Sequence, residues 1–297
     1  MATGITNVAL AMAIEALFGF IRPLLIDLRK LGTTDFSAEK PSVEVAPGKT
    51  INVPLASVAE ALEFNKETNN YLTGGATEWA VLTALHYLQG FDISGTDIDK
   101  GIDAVRIEQL FSKRASTGIL MAITKMVAAS LAGVPTSTAV TLPAAPTFKD
   151  YLAIFGKVAK LNKVNSLGSV LGVSGEELGN IKAAMTDKGI TPGDDHDIAT
   201  MLGFADLVRV PGTTERMWIV PPTSFGMIAR VPEIIARYIS AGAETDPETG
   251  LSIGIVVADD QAHNRRVTNA DLWFGCTAIG APPAADKPGI IKVGTAD

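Results

Sequence analysis

From Ile102 to Gly133 the sequence IDAVRIEQLFSKRASTGILMAITKMVAASLAG runs without a proline, and Ile102, Val105, Leu110, Phe111, Ile119, Leu120, Ile123, Met126 and Val127 share one helical face. Gly133 and Pro135 close the run. At ~1.5 Å per residue such a helix spans ~45 Å, far above the usual length of a helix in a globular protein. The rest of the chain must be organised along this rod. With 297 residues, 47% of them apolar and 19% charged, the chain has material for a core of its own and lacks the composition of a disordered protein. Its length allows one large domain or two smaller ones.

The N-terminal residues carry Leu10, Ile14, Leu17, Ile21, Leu24, Leu28 and Leu31 at alternating steps of four and three, a helix-period stripe. Pro23 lies within it and removes a backbone donor, which predicts a kink or two short helices. The stripe has two readings: an arm docked on a neighbouring subunit, and a terminal helix lying on its own domain. The apolar run from Val8 to Ile14 is far short of the ~20 residues of a membrane span, and Glu15 interrupts it, so neither an anchor nor a leader is expected.

Between Thr34 and Gly95 the period changes to two. Val43 to Val45, a Pro47-Gly48-Lys49 turn and Ile51 to Leu55 alternate as strands. From Ala80 to Ile93 a long strand is apolar on both faces, and the intervening Phe64 to Glu78 is polar and amide-rich. Together these predict an extended two-stranded arm with a soft tip. Beyond the long helix, Val134 to Thr147 is expected as a linker. Helices follow at Phe148 to Lys160 and Glu176 to Asp187, the second opened by a Ser174/Glu177 capping box. Strands are expected at Asp206 to Val210 and Arg216 to Val220, a helix near Thr223 to Ile239, and strands at Leu251 to Ala258, Arg266 to Ala278 and Ile290 to Val293.

Chemistry-bearing patterns are few. Cys276 is the single cysteine, so no disulfide within the chain and no cysteine-based zinc site is possible. It lies in the apolar run DLWFGCTAIG, where a buried inert thiol is expected. Two clusters, GDDHD (Gly193 to Asp197) and DDQAH (Asp259 to His263), offer carboxylates with an imidazole to a divalent ion. The bland reading is helix capping for the first and a loop for the second. No glycine-rich phosphate cradle, serine elbow or His-Glu-x-x-His occurs. The formal charge of −7, with no basic cluster, disfavours tight sequence-reading of nucleic acid. A mean hydropathy of +0.25 points to apolar surface hidden against other chains.

The amphipathic N-terminal stretch, then TTDFSAEKPSVEVAPGKTINVPL (Thr33 to Leu55), a polar loop containing NYLTGG (Asn70 to Gly75), a return strand ending FDISGTDID (Phe91 to Asp99) and one long helix together resemble tailed-bacteriophage major capsid proteins of the HK97-type fold. ERMWIVPPTSFGMI (Glu215 to Ile228) is similar to the stretch where such proteins pass from a core strand into a helix, and Gly250 to Pro283 to their long final strands. The resemblance implies an α+β fold with an N-terminal arm at 1–40, an extended β-hairpin loop at 41–92, a peripheral domain with its spine helix at 93–140, an axial domain at 141–235 and return strands at 236–297. It implies a structural, non-enzymatic role without cofactor or metal: a coat protein that self-assembles as hexamers and pentamers into an icosahedral shell around double-stranded DNA held by weak non-specific contact. The expected location is the virion, after assembly in the host cytoplasm and away from any membrane. The implied assembly contacts are Leu10, Ile14, Leu17, Ile21, Leu24, Leu28, Phe36, Phe64 and Tyr71. No additional region precedes the arm, which implies a separate scaffolding protein or none; portal and decoration proteins are further possible partners. As an arm, residues 1–31 would be removable without unfolding the subunit. Other readings stay open at this point: an encapsulin-like compartment of the same fold, a tail component, or a soluble oligomeric metal-dependent enzyme using Asp194, Asp195 and His196 or Asp259, Asp260 and His263.

Overall fold

The structure, a computed structural model, describes residues 7–31, 33–35, 50–56, 77–83, 85–94, 104–161, 168–221, 224–230, 240–249, 251–260, 265–278 and 289–295. Five helices are placed: α1 (Asn7–Arg29), α2 (Ala104–Ala132), α3 (Phe148–Leu161), α4 (Gly175–Thr186) and α5 (Asp195–Met201). The strands in chain order are β1 (Thr33–Asp35), β2 (Thr50–Ala56), β3 (Thr77–Thr83), β4 (Leu85–Ser94), β5 (Thr136–Leu142), β6 (Val170–Val173), β7 (Asp206–Arg209), β8 (Met217–Val220), β9 (Phe225–Arg230), β10 (Ser240–Thr245), β11 (Ser252–Asp260), β12 (Arg265–Ala278) and β13 (Ile291–Thr295). The class is α+β, as expected, with the long rod realised as α2.

Six strands form one sheet around β12. Along one edge of β12, residues 265–274 pair antiparallel with β4. Along its other edge, residues 265–271 pair with β11 and residues 273–278 with β9. β10 extends the sheet beyond β11, and β1 runs parallel to β9. Period-two alternation turns Ala270, Leu272 and Phe274 of β12, Ile253 and Ile255 of β11, and Phe225 and Met227 of β9 into one core. Two helices cover that face. α2 contributes Ala115, Ile119, Ile123, Val127 and Leu131, and α1 contributes Phe18, Ile21, Leu25 and Leu28, with Leu31 from the turn that follows it, each at most 1% exposed.

A second sheet has the order β5-β13-β8-β6-β7 and is buried on both faces. Leu171, Val173, Leu207, Met217, Ile219, Ile291 and Val293 face a layer of α3, α4 and α5 built on Tyr151, Ile154, Val158, Leu178, Ile181, Met185 and Ile198. The alternate residues Val170, Val208, Trp218 and Val220 join the core beneath α1 and α2. The two sheets meet at the C-terminal end of α2. There the Trp218 indole N–H donates to the Leu131 carbonyl at 3.1 Å, and the Lys292 ammonium donates to the Ala132 carbonyl at 3.3 Å while pairing with Glu215 at 3.1 Å. Lys292 thus serves a carbonyl at the helix end, and Trp218 adds a second donor to the Leu131 carbonyl, which also accepts the Val134 amide at 3.2 Å.

β2 and β3 form a separate antiparallel ladder from Thr50↔Thr83 to Ala56↔Thr77. β3 and β4 are separated only by Ala84, so one line of chain passes from the hairpin into the six-stranded sheet. Seven residues at ~3.3 Å make this ladder about 23 Å long.

Several expectations are corrected. α1 is one helix through Pro23: both Pro23 and Gly19, whose carbonyl loses its partner, lie on the exposed face, where water can serve that carbonyl. Residues 136–142 form β5 rather than a linker. Its first half bulges: Lys292 pairs with Thr136 but Gly294 pairs with Thr141. The Ser137 hydroxyl holds the bulge by accepting the amides of Ala139 and Val140. A Cβ on Gly294 would sit 2.5 Å from the Ser137 carbonyl, so the approach of β5 to β13 requires glycine there. Residues 225–230 form strand β9, not a helix, because Phe225 and Met227 alternate into the core. β1, β6 and β10 had no counterpart in the sequence reading. β5 and β13 complete the five-stranded sheet, and β9 pairs with β12. The Val43 to Val45 strand and the loop tip Phe64 to Ala76 lie outside the described residues.

The burial of α1 reverses the expectation that residues 1–31 can be deleted harmlessly. Five large side chains at ~1.5–3 kcal/mol each rival the whole net stability of a domain. Truncation of residues 1–31 is expected to give a chain without a cooperative unfolding transition. Leu28→Ala is expected to lose about 2–5 kcal/mol, read from the urea midpoint.

Candidate functional site

Three charged clasps hold the elements together, and each is built on a carboxylate drawn into the protein. The deepest is at Glu177, whose side chain is 2% exposed. Ser174 caps α4 by accepting the Glu177 amide at 3.2 Å, as the capping-box pattern predicts. The Glu177 carboxylate does not close the box. It receives Arg216 Nε at 2.8 Å and Nη2 at 2.9 Å, and the Tyr151 hydroxyl at 2.7 Å. Arg216 Nη1 donates to the Pro143 carbonyl at 2.9 Å. One ion pair therefore ties α3, α4, the entry to β8 and the chain after β5. Burial, and then the hydrogen bond to Glu177, push the Tyr151 phenol far above its ordinary value, so it stays a donor.

The second clasp is Asp246, in the turn between β10 and β11, with a side chain 0% exposed. Its carboxylate receives Arg22 Nη2 at 2.7 Å and Nε at 3.3 Å, the Thr249 amide at 3.2 Å and the Thr249 hydroxyl at 2.5 Å. Burial alone would raise this carboxyl, but the Arg22 and Thr249 hydrogen bonds and the Arg22 charge outweigh it and hold it below the ordinary range. Arg22 also meets the exposed Glu248 at 3.1 Å and Glu15 at 3.5 Å. The third clasp runs along α5 and β7: Asp195 accepts Arg209 at 2.7 Å and Lys182 at 3.5 Å, while Asp206 meets Lys30 at 3.2 Å and His196 at 3.8 Å. Burial again opposes and Arg209 again prevails, leaving the Asp195 carboxyl lowered.

These contacts decide the candidate clusters. Asp194 caps α5 by accepting the Asp197 amide at 2.8 Å, and Asp195 is committed to two cations, so the first cluster caps and pairs. Asp259 and Asp260 lie in the β11 ladder opposite Arg266 and Arg265; His263 is outside the described residues. Among the described residues no group of three or more His, Cys, Asp or Glu is placed to hold a metal. The Cys276 thiol is pushed up to about 12 by burial, which keeps it protonated and poorly nucleophilic at neutral pH.

The expected assembly residues divide. Ile21 and Leu28 are 0% exposed inside the chain's own core, which corrects their assignment as contacts to a neighbour. Leu24 is half-buried against the same core. Leu10, Ile14 and Leu17 belong to α1, but their side chains are outside the described set; Phe36, Phe64 and Tyr71 lie outside the described residues. Sequence reasoning missed Arg216 and Asp246. Their partners, Glu177 and Arg22, are far away in the chain, and no local spacing signals either pair.

No family model matches the chain, and no curated protein matches it. Its fold is similar to those of solved phage capsid structures. The capsid of Ralstonia phage GP4 is 10% identical, with 89% of each chain covered and a TM-score of 0.48. The mature capsid of bacteriophage PhiM1 is 9% identical, with 88% of this chain and 86% of that chain covered and a TM-score of 0.45. A virus-like particle from Pyrococcus furiosus is 8% identical over 89% of this chain and 92% of that chain, with a TM-score of 0.43.

Two outcomes follow from the clasps. Arg216→Ala strands a buried carboxylate and is expected to cost about 3–5 kcal/mol, measured by chemical denaturation. Asp246 has a lowered folded value, so its contribution is present above the ordinary carboxylate range and is lost as pH falls through that lowered value. Asp246→Asn should therefore be less stable at neutral pH and should lose less stability than the parent on acidification, compared by urea midpoints across the acid range.

Proposed function

We propose that the chain is the major coat subunit of a closed icosahedral shell that encloses phage double-stranded DNA. The observation that carries this reading is the β2–β3 hairpin. β3 precedes β4 by a single residue and lies close to β12 and β9, yet it has no ladder partner but β2 among the described residues. A two-stranded ladder is marginal in water by itself, and its open edges and faces need cover. A neighbouring copy supplies that cover in a shell. The order of parts supports the same reading: an amphipathic helix, a β-hairpin, a long helix and two sheets, as in the capsid proteins the sequence resembles.

In this proposal α2 and the six-stranded sheet form the peripheral unit, and the five-stranded sheet with α3, α4 and α5 forms the axial unit. Hexamers and pentamers of the subunit tile the shell. Leu10, Ile14, Leu17, Leu24, Phe36, Phe64 and Tyr71 make contacts between copies; Ile21 and Leu28 do not. Many modest contacts add to a stable whole while each stays weak enough to correct errors in assembly. The subunit's work is mechanical rather than catalytic, it is carried in the virion after assembly in the host cytoplasm, and scaffolding, portal and decoration proteins are its candidate partners.

Negative-stain electron microscopy of the expressed protein, alone and with its genomic neighbours, tests the proposal. Closed shells of uniform diameter are expected, with nuclease-resistant duplex DNA inside those recovered from infected cells. Small oligomers under every assembly condition would sink it, and shells filled with a protein cargo would favour a compartment instead. Replacing residues 65–75 with a short turn should leave the circular dichroism spectrum unchanged and abolish closed shells.

A further inference from the structure

The exposed face of α2 carries a charge pattern opposite to that of the whole chain. Against a net charge of −7, residues 109–132 of α2 contain no Asp or Glu and hold Lys113, Arg114 and Lys125. Arg114 and Lys125 are exposed and lie eleven residues apart, about three turns, so they share one face of α2. Neither has an ion-pair partner among the described residues, whereas Arg22, Arg209 and Arg216 are each committed to a carboxylate. Between them and toward the C-terminal end of α2, Thr117, Gly118, Ala122 and Ala129 lie at exposed or half-exposed positions, and Met121, 66% exposed, is the one large apolar side chain standing out among the described residues of α2.

We propose that this face of α2 is where the subunit meets the phosphate backbone of duplex DNA. The inference deepens the shell reading and rests on it. Unpaired cations on a rigid helix, separated by small side chains, suit a broad polyanion that is touched without being read. Residues 114–132 are apolar enough by composition to cross a bilayer, but Ile119, Ile123, Val127 and Leu131 turn into the protein core, so among these residues the outward face keeps Met121 alone as an exposed large apolar side chain, too little to seat a helix in lipid. Residues 114–132 also include no aromatic anchor of the kind a tight protein interface uses.

The test is fluorescence anisotropy of the unassembled full-length chain with a short random-sequence DNA duplex over a range of salt concentrations. The parent should bind weakly, with log K falling linearly against log salt. The double variant Arg114→Gln/Lys125→Gln should reduce that slope by about 2. Lys149→Gln/Lys160→Gln, on α3, should leave the slope unchanged, and the conservative Arg114→Lys should retain it. An unchanged slope in the first double variant, an equal loss in the α3 variant, or no binding by the parent at the lowest salt each overturns the proposal. So does Arg114- and Lys125-dependent binding to phosphatidylglycerol vesicles exceeding that to the duplex, or a dimer that the double variant dissolves. Microscopy keeps the two readings apart: a double variant that closes shells normally but has an unchanged DNA slope removes this inference alone, while a parent that never closes shells removes the function it rests on.

Discussion

The C-terminal end of α2 is the joint on which the architecture depends. A helix end exposes carbonyls that need donors, and here the amides of Gly133 and Val134 are joined by two side chains of the five-stranded sheet, Trp218 and Lys292. Trp218 is the largest fully buried side chain among the described residues and lies in the core shared with α1, α2 and the six-stranded sheet. The same residue therefore closes the helix and carries one face of its own sheet into the neighbouring core. Lys292, 7% exposed, brings Glu215 to the same point, one residue from Arg216. The position of the long rod and the placement of the α3–α5 layer are thus set by one short stretch of β8 and one of β13.

The buried carboxylates act in the same sense. Drawing Glu177 or Asp246 out of water is costly, and a well-formed ion pair repays that cost without large net gain. What each adds is geometry. Glu177 admits one arrangement of Arg216 and Tyr151, and Asp246 admits one seating of α1 against the β10–β11 turn. Apolar burial supplies the bulk of the stability, and the clasps choose among the ways of packing the same surfaces.

The elements legible in the sequence were those whose signal is local. The period of α2, the Ser174 cap of α4, the Asp194 cap of α5 and the alternation of β11 and β12 all appear within a few residues of where they act. The failures have a common cause. Residues 136–142 are small and hydroxyl-rich and read as a linker; they become β5 because β13, far along the chain, offers a parallel edge with a glycine at the point of contact. β10 and β6 are short, and each is a strand only through its neighbours. The leucine stripe of α1 was visible, but its target was not, because the α2 residues it packs on lie about a hundred residues away and Asp246 more than two hundred. Of the candidate site, the side-chain types were legible and the pairings were not.

The β3–β4 line has a mechanical consequence. A load taken up by the β2–β3 hairpin runs along β4 and into its ten-residue antiparallel ladder with β12. Force directed along the strands loads the cross-strand hydrogen bonds of that ladder together, in shear, whereas force across them would peel the pairs apart one by one. The far edge of β12 is anchored in turn by β11 and β9, so the load spreads sideways into the sheet before any single bond must fail. Through β4 the hairpin is thus tethered to the sheet by this ladder, and tension on it is shared with β11 and β9.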